Sequence, residues 1–263
     1  MTTHALSQAD KATRFKSLHT PGTPLVLYNI WDAGSAKAIA DAGAKALATG
    51  SWSVAAAQGY ADGEALPLDL LLTIVARIAA TNDLPLSVDF EGGYATDPAG
   101  VASNVSRLIA AGAIGINFED RVINGDGLHS IEGQSARIAA ARTAASSANV
   151  PLFINARTDL FLGSAPDSHA GFVDEAITRA QAYQQAGADG FFVPGLTQET
   201  LIRRITAATT LPVNVMMLGD QSPLSSVAAM GVARASFGPG AYRTAMGDLA
   251  ERFRALTPDG KAP

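Results

Sequence analysis

The chain contains no cysteine. Disulfides, thiolate metal centres and a cysteine nucleophile are therefore excluded. It has no basic run, and its net charge is −5 with an isoelectric point near 5.3. That balance argues against nucleic acid as a partner. No apolar stretch runs long enough to cross a bilayer without Gly, Pro or a charge interrupting it. Residues 1–20 form a polar lead-in of mixed charge that lacks the apolar centre of a secretory signal. These absences predict a cytoplasmic protein with no membrane partner. What is present is apolar: 48% of the 263 residues are hydrophobic and 16% are charged. A sizeable core is available, and the length suits one large α/β domain spanning 1–263.

Two kinds of strand signal alternate. The first is a proline followed by a β-rich run: "TPLVLYN" at 23–29, "LPLSVDF" at 84–90, "VPLFINAR" at 150–157 and "LPVNVMM" at 211–217. Proline fits the first residue of a strand, where a missing N–H costs least. The second is a helix ending in Gly and then a strand: "DAGAKALATGS" at 41–51, "AAGAIGINFED" at 110–120, "QAGADGFFVPG" at 185–195 and "AMGVARASFGPG" at 229–240. Gly43, Gly112, Gly187 and Gly231 read as the residues just past helix ends, where positive φ favours glycine. Between the runs lie segments of helical period, such as 68–80 and 170–185. Eight apolar strands separated by helices predict a parallel sheet closed into a single-domain (β/α)8 TIM barrel. No Gly-x-Gly-x-x-Gly turn follows the first strand, which argues against an open doubly wound sheet.

Barrel chemistry sits at the C-terminal ends of strands. In order, those ends carry Tyr28 and Asn29; Gly50, Ser51 and Trp52; Asp89 and Glu91; Glu119, Asp120 and Arg121; Asn155, Arg157 and Asp159; Pro194 and Gly195; Asn214; and Phe237 and Gly238. Tyr28 is the candidate substrate contact at the first of them. Acids gathered on one face repel, and a divalent cation relieves them. Oxygen donors, with no His at these ends, suit Mg2+ or Mn2+. Arg157 offers a planar fork to a substrate carboxylate or phosphonate. Singly, each item also reads as ordinary structure: an Asp-x-Glu turn, an ion-paired Arg, a flexible "NGDG" turn at 124–127, and Asp97 before Pro98 as a helix cap.

The stretches "YNIWDAGSAKAIADAGAKALATGS", "VDFEGGYA", "NFEDR", "INARTD" and "YQQAGADGFFVPG" resemble the isocitrate lyase/phosphoenolpyruvate mutase superfamily, from about residue 24 to 254. The resemblance implies a Mg2+-dependent barrel enzyme that makes or breaks C–C or P–C bonds through a metal-bound enolate. It puts the metal carboxylates on Asp89, Glu91 and Glu119, with Glu91 replacing the usual Asp. It puts an anion-binding backbone loop on Gly50, Ser51 and Trp52, the substrate Arg on Arg157, a mobile-segment acid on Asp62 and a strand-seven Asn on Asn214. The lyases' Lys-x-Cys-Gly-His loop and the mutases' Lys-Thr-Asn-Ser loop are both missing. "RVINGDGLHS" stands there instead, and His129 lines up with the loop's His.

The expected activity is C–C cleavage of a small 2-hydroxy or 2-oxo (di)carboxylate. A phosphonomutase or phosphonopyruvate hydrolase, an oxo-acid decarboxylase and a non-catalytic oxo-acid-binding barrel stay open. Asp62 and His129 by position, and Tyr60 and Tyr94 by chemistry, are candidates for proton transfer. Residues 121–133 are expected to form a lid. The family's habit of exchanging a C-terminal helix implies a homotetramer. The segment 241–256 carries the needed stripe of Tyr242, Ala245, Leu249 and Phe253.

Overall fold

The computed structural model describes residues 6–217 and 223–256; the part of the lead-in at 1–5 lies outside them. Eight parallel strands run in chain order: β1 (Leu25–Leu27), β2 (Leu47–Ala48), β3 (Leu86–Asp89), β4 (Gly115–Glu119), β5 (Phe153–Arg157), β6 (Gly190–Phe192), β7 (Val213–Met216) and β8 (Arg234–Ser236). The order across the sheet is β1-β8-β7-β6-β5-β4-β3-β2. The seam between β1 and β2 is drawn together by a single parallel bridge, Ile30 to Thr49. Asn29 reinforces it. Its Nδ2 donates to Thr49 O at 2.8 Å, and its Oδ1 accepts from the Phe237 and Gly238 amides at 2.9 Å each. One side chain thus ties three strand ends together, and the sheet is a nearly closed (β/α)8 barrel.

The helices between are α2 (Ala33–Asp41), α3 (Ser51–Ala57), α4 (Leu68–Ala79), α5 (Pro98–Ala110), α6 (Ile131–Ser147), α7 (His169–Gln185), α8 (Glu199–Ala208), α9 (Leu224–Ala229) and α10 (Gly240–Leu256). Gly43, Gly112, Gly187 and Gly231 all have positive φ, 77° to 105°, one residue past a helix cap, as expected. Asp97 caps α5 by accepting from the Gly100 amide at 2.9 Å.

The lead-in is more than a polar tail. Residues Gln8–Ser17 form α1, with Ala12 and Phe15 buried. Phe15, His19 and the first residue of β5, Phe153, form an aromatic plug: Phe15 meets Phe153 edge-on at 5.3 Å, and His19 stacks on Phe153 at 4.2 Å. Glycine at the start of β6 makes room for it, since a Cβ on Gly190 would lie 3.0 Å from the Phe153 ring.

Period-two alternation sends Val88, Ile116, Phe118 and Ile154 outward against the helices, where all are 0% exposed. Many inward residues are polar, Ser87, Asn117, Asn155, Asn214 and Arg234 among them, all buried, alongside the apolar Leu27 and Phe192. Asn155 Nδ2 donates to Asn117 Oδ1 at 2.8 Å. Arg234 is wholly buried, and burial lowers its pKa to about 9 against the opposing pull of Asp89.

Candidate active site

At the C-terminal mouth a cavity of about 290 Å³ is lined by Asn29, Gly50, Ser51, Trp52, Asp62, Asp89, Asn117 and Arg157, with Leu162, Phe192, Pro194, Met216, Ser236, Gly238, Pro239 and Arg243. That volume is at the small end of ligand sites. Of the expected site residues, Gly50, Ser51, Trp52, Asp62, Asp89 and Arg157 meet here. Glu91 and Glu119 sit behind the lining, 5% and 4% exposed.

Asp89 ends β3. Its Oδ2 accepts from the Ser51 amide at 3.0 Å and from Ser51 Oγ at 2.9 Å. Its amide donates to Thr49 Oγ1. Its Oδ1 is buried with no hydrogen-bond partner. Two residues on, Glu91 has a left-handed backbone (φ 48°) within the "EGGY" turn, and its Oε2 accepts from the Glu64 amide at 2.7 Å. Burial, then the Asp62 and Asp89 charges, push its carboxyl up to about 8. Glu119 ends β4 and pairs with Arg157 Nη1 at 2.8 Å. Its carboxyl is also pushed up to about 8, by burial and by Asp159, Asp89 and Glu91, while Arg157 pulls the other way. Asp62 is raised too, by burial and then Asp89.

Arg157, the last residue of β5, is heavily engaged. Its Nε and Nη2 form a fork on Asp159 at 2.5 and 2.8 Å, Nη1 takes Glu119, and Asp89 Oδ1 lies 4.0 Å away. Burial would lower its pKa, but Glu119 and Asp159 hold it raised. The floor therefore holds more carboxylate than cation.

Among the described residues no group of three acid or imidazole side chains is placed to hold one metal ion. Asp89, Glu91 and Glu119 do not converge as a ready-made triad, because Glu91 is turned to the Glu64 amide and Glu119 to Arg157. The donor chemistry still fits a hard divalent cation. Asp89 Oδ1 is an orphaned buried oxygen, and the acids around it are too crowded to ionise together without added positive charge.

Other expectations are relocated. Gly50 and Ser51 line the cavity, but their amides are already committed, Gly50 N–H to Ile30 O at 3.2 Å and Ser51 N–H to Asp89. Two of the three amides of the expected anion-binding loop are thus already taken. Tyr28 faces outward by strand alternation, 39% exposed beside Phe237. Asn214 lies below the cavity, its Oδ1 accepting from Ser236 Oγ at 3.2 Å. Asp120 faces the helices and accepts from Arg179 and from Tyr183 Oη, so it is a structural anchor. Tyr60 is exposed and is not among the residues lining the cavity.

His129 and Tyr94 line a neighbouring cavity of about 170 Å³ with Glu64, Arg121 and Arg137. Burial, then Arg137, lowers the His129 pKa. The "NGDG" segment is a small hairpin: Arg121 bridges Leu128, and Val122 N–H donates to Gly127 O at 3.1 Å.

Sequence reading missed Asn117, Ser236 and Arg243 as lining residues. Asn117 and Ser236 each stand two positions before a flagged strand-end residue, so alternation alone could have found them. Arg243 stands in the first turn of α10, where no strand pattern points.

Residues 15–257 match the family model described as phosphoenolpyruvate phosphomutase. The chain is 32% identical to the 2-methylisocitrate lyase of Escherichia coli (strain K12), over 75% of this chain and 70% of the lyase. A Burkholderia cenocepacia J2315 crystal structure provisionally described as a phosphonomutase is 49% identical, with a TM-score of 0.92 over 97% of this chain and all of the other. A phosphonopyruvate hydrolase solved with oxalate and Mg2+ is 25% identical, with a TM-score of 0.83 over 95% of this chain and 88% of the hydrolase.

Proposed function

Because the chain belongs to the phosphoenolpyruvate phosphomutase family, within the isocitrate lyase/phosphoenolpyruvate mutase superfamily, we propose that it is a Mg2+-dependent lyase, with Mn2+ as the alternative ion. It would cleave a C–C bond of a small 2-hydroxy or 2-oxo (di)carboxylate through an enolate. The orphaned, buried Asp89 Oδ1 at the floor of an acid-rich cavity carries this reading. Asp89 would be the direct ligand, supported by Glu91 and Glu119. When bound, the ion supplies Lewis-acid stabilisation of negative charge growing on a substrate oxygen. Ser51 fixes Asp89 by two hydrogen bonds. Arg157, itself fixed by Asp159 and Glu119, turns its remaining N–H groups toward a substrate carboxylate. Asp62 lines the same cavity, and desolvation, then the Asp89 charge, raises its carboxyl above the ordinary value. It is therefore the better placed proton-transfer group, ahead of His129. The 121–133 segment would close as a lid that excludes water.

A second reading moves the chemistry to a P–C bond, favoured by the likeness to the phosphonopyruvate hydrolase. One assay separates them: Mg2+ with a panel of oxo and hydroxy diacids and phosphonopyruvate. Two organic fragments, one of them pyruvate or glyoxylate, whose release chelator abolishes, support the lyase. Phosphate together with pyruvate selects the second reading, carbon dioxide together with a single shortened oxo acid selects decarboxylation, and no product with any substrate overturns turnover altogether.

We also propose a homotetramer in which α10 is exchanged. Among the described residues of α10, Ala241 alone is buried, while Leu249 and Leu256 are 62% and 81% exposed. Tyr242 is held on its own barrel between Trp31 and Trp52. The outer face of β1, Val26 and Tyr28, is about 40% exposed beside an open groove of about 530 Å³. A helix from another copy would cover such a face with contacts like those of an ordinary eighth helix. Light scattering should give about four times 27 kDa; a monomer peak would refute it. Among the described residues, no helix is long and apolar enough to cross a membrane.

A further inference from the structure

The neighbouring cavity of about 170 Å³ is below the usual size of a metabolite site and suits a small ion. It shares no lining residue with the main cavity. Glu91 marks the partition. It lines neither cavity, feels the charges of Asp62 and Asp89 on one side, and accepts from the Glu64 amide at 2.7 Å on the other.

The lining of the side cavity is cationic. Arg121 is exposed, and among the described residues its guanidinium has neither an ion pair nor a hydrogen bond. Arg137 is 2% exposed, and its partners are all neutral. Nη1 donates to Gln134 Oε1 at 2.5 Å, and Nη2 donates to the Ala95 carbonyl at 3.0 Å and to the Gly92 carbonyl. Its Nε is buried with no partner. Glu64, the one acid in the lining, is turned to the Tyr94 amide at 2.7 Å. Two guanidiniums thus share one committed carboxylate, and a buried cation without a counter-charge is costly. The backbone around them is strained. Glu64, Tyr94 and Asn124, all in the lining, have left-handed conformations with φ of 55° to 60°. Such strain persists where the surroundings hold it, and it gathers at functional sites.

The cavity also has two sides. Arg121, Asn124 and His129 come from the hairpin segment, and Glu64, Tyr94 and Arg137 come from the barrel body. The hairpin rests on the body at one point, since a Cβ on Gly92 would lie 2.8 Å from Ile123 Cγ1. We infer that this side cavity is an effector site for a small dianionic oxyanion of the phosphate class, which pins the hairpin to the barrel by bridging Arg121 to Arg137. A tetrahedral ion suits donors that arrive from both sides, whereas one guanidinium fork already satisfies a planar carboxylate. The site stands apart from the oxo-acid reading, because Asp62, Asp89 and Arg157 line the other cavity.

Calorimetric titration with inorganic phosphate, in the absence of metal, tests this. Wild-type protein should bind phosphate, and Arg121→Gln should weaken it about tenfold or more, the scale for losing a charge-assisted hydrogen bond. Arg121 has no side-chain partner among the described residues, so that variant should melt where the wild type does. Arg121→Lys should keep part of the affinity, and acetate should bind far more weakly than phosphate. Phosphate should also slow proteolysis between residues 121 and 128 in the wild type and not in Arg121→Gln. Wild-type protein that does not bind phosphate overturns the inference. Equal phosphate affinity in wild type and Arg121→Gln puts the ion elsewhere and overturns it too. Acetate as tight as phosphate overturns the ligand class, and phosphate bound through Arg121 with unchanged proteolysis overturns the pinning. None of these outcomes bears on oxo-acid turnover, which the substrate panel decides separately.

Discussion

The two ends of the barrel are built from the same strands to opposite specifications. β5 begins with Phe153 in the aromatic plug and ends with Arg157 in the acid cluster, five residues in all. At the plug the one titratable ring, His19, is kept neutral, its pKa lowered to about 3 by burial and then by Arg234. At the mouth three carboxyls, the buried Glu91 and Glu119 and the more exposed Asp62, are raised instead. Burial drives both shifts, since it disfavours whichever form is charged. The plug avoids charge and stabilises the fold. The mouth concentrates like charge that the fold must restrain with Ser51 and Arg157, the pattern of a site kept at a cost to stability.

Substitutions at the two ends should therefore separate activity from stability. The largest effect is expected at the mouth. Asp89→Asn keeps an acceptor for Ser51 and removes the charge. Mg2+-dependent turnover should fall about a thousandfold or more, about 4 kcal/mol of lost transition-state stabilisation, while the melting temperature holds or rises. Unchanged Mg2+ affinity by calorimetry would return Asp89 to ordinary turn chemistry. Next in size is the plug. Phe15→Ala empties a site that is 0% exposed and should cost about 3–5 kcal/mol of stability. Oxalate affinity per folded molecule should not move; a large loss of affinity would break the division between the two ends.

A smaller effect concerns pH. The folded His19 pKa lies below its unfolded value, so the unfolded chain binds the extra proton. His19 thus favours the fold fully above about pH 6.5 and progressively less as pH falls toward 3. Within that window its contribution should fall by about 1.4 kcal/mol per pH unit. His19→Phe should flatten the slope of urea stability against pH by that amount, and a parallel slope in wild type and variant would show His19 to be protonated in the fold. The smallest effect should appear at the 121–133 segment. Its proteolysis should slow a few-fold with Mg2+ and oxalate, and equal cleavage in both states counts against a lid.

How legible these regions were depended on periodicity. The strands and the four helix-ending glycines were readable because alternation and positive φ leave local marks. The mouth was readable at Asp89, Arg157, Ser51 and Trp52, because strand ends in a barrel share one rim. It was not readable at Arg243, whose place depends on where α10 starts relative to Trp52. Nor was α1 recognised as the base of the plug, since a short polar helix with one buried face resembles a tail. Arg234 did leave a mark, a lone Arg in an apolar strand, but nothing local says that it points inward.

By itself, then, the sequence determined the eight-fold repeat, the parallel sheet and the rim on which the acids gather. These follow from short-range rules: side-chain period, proline at strand starts and glycine past helix ends. Tertiary structure alone decided which carboxylates face the cavity, which are turned aside to Glu64 and Arg157, and that His129 and Tyr28 stand outside it. Those outcomes are set by side chains many residues apart competing for the same few donors, and no local pattern records who wins.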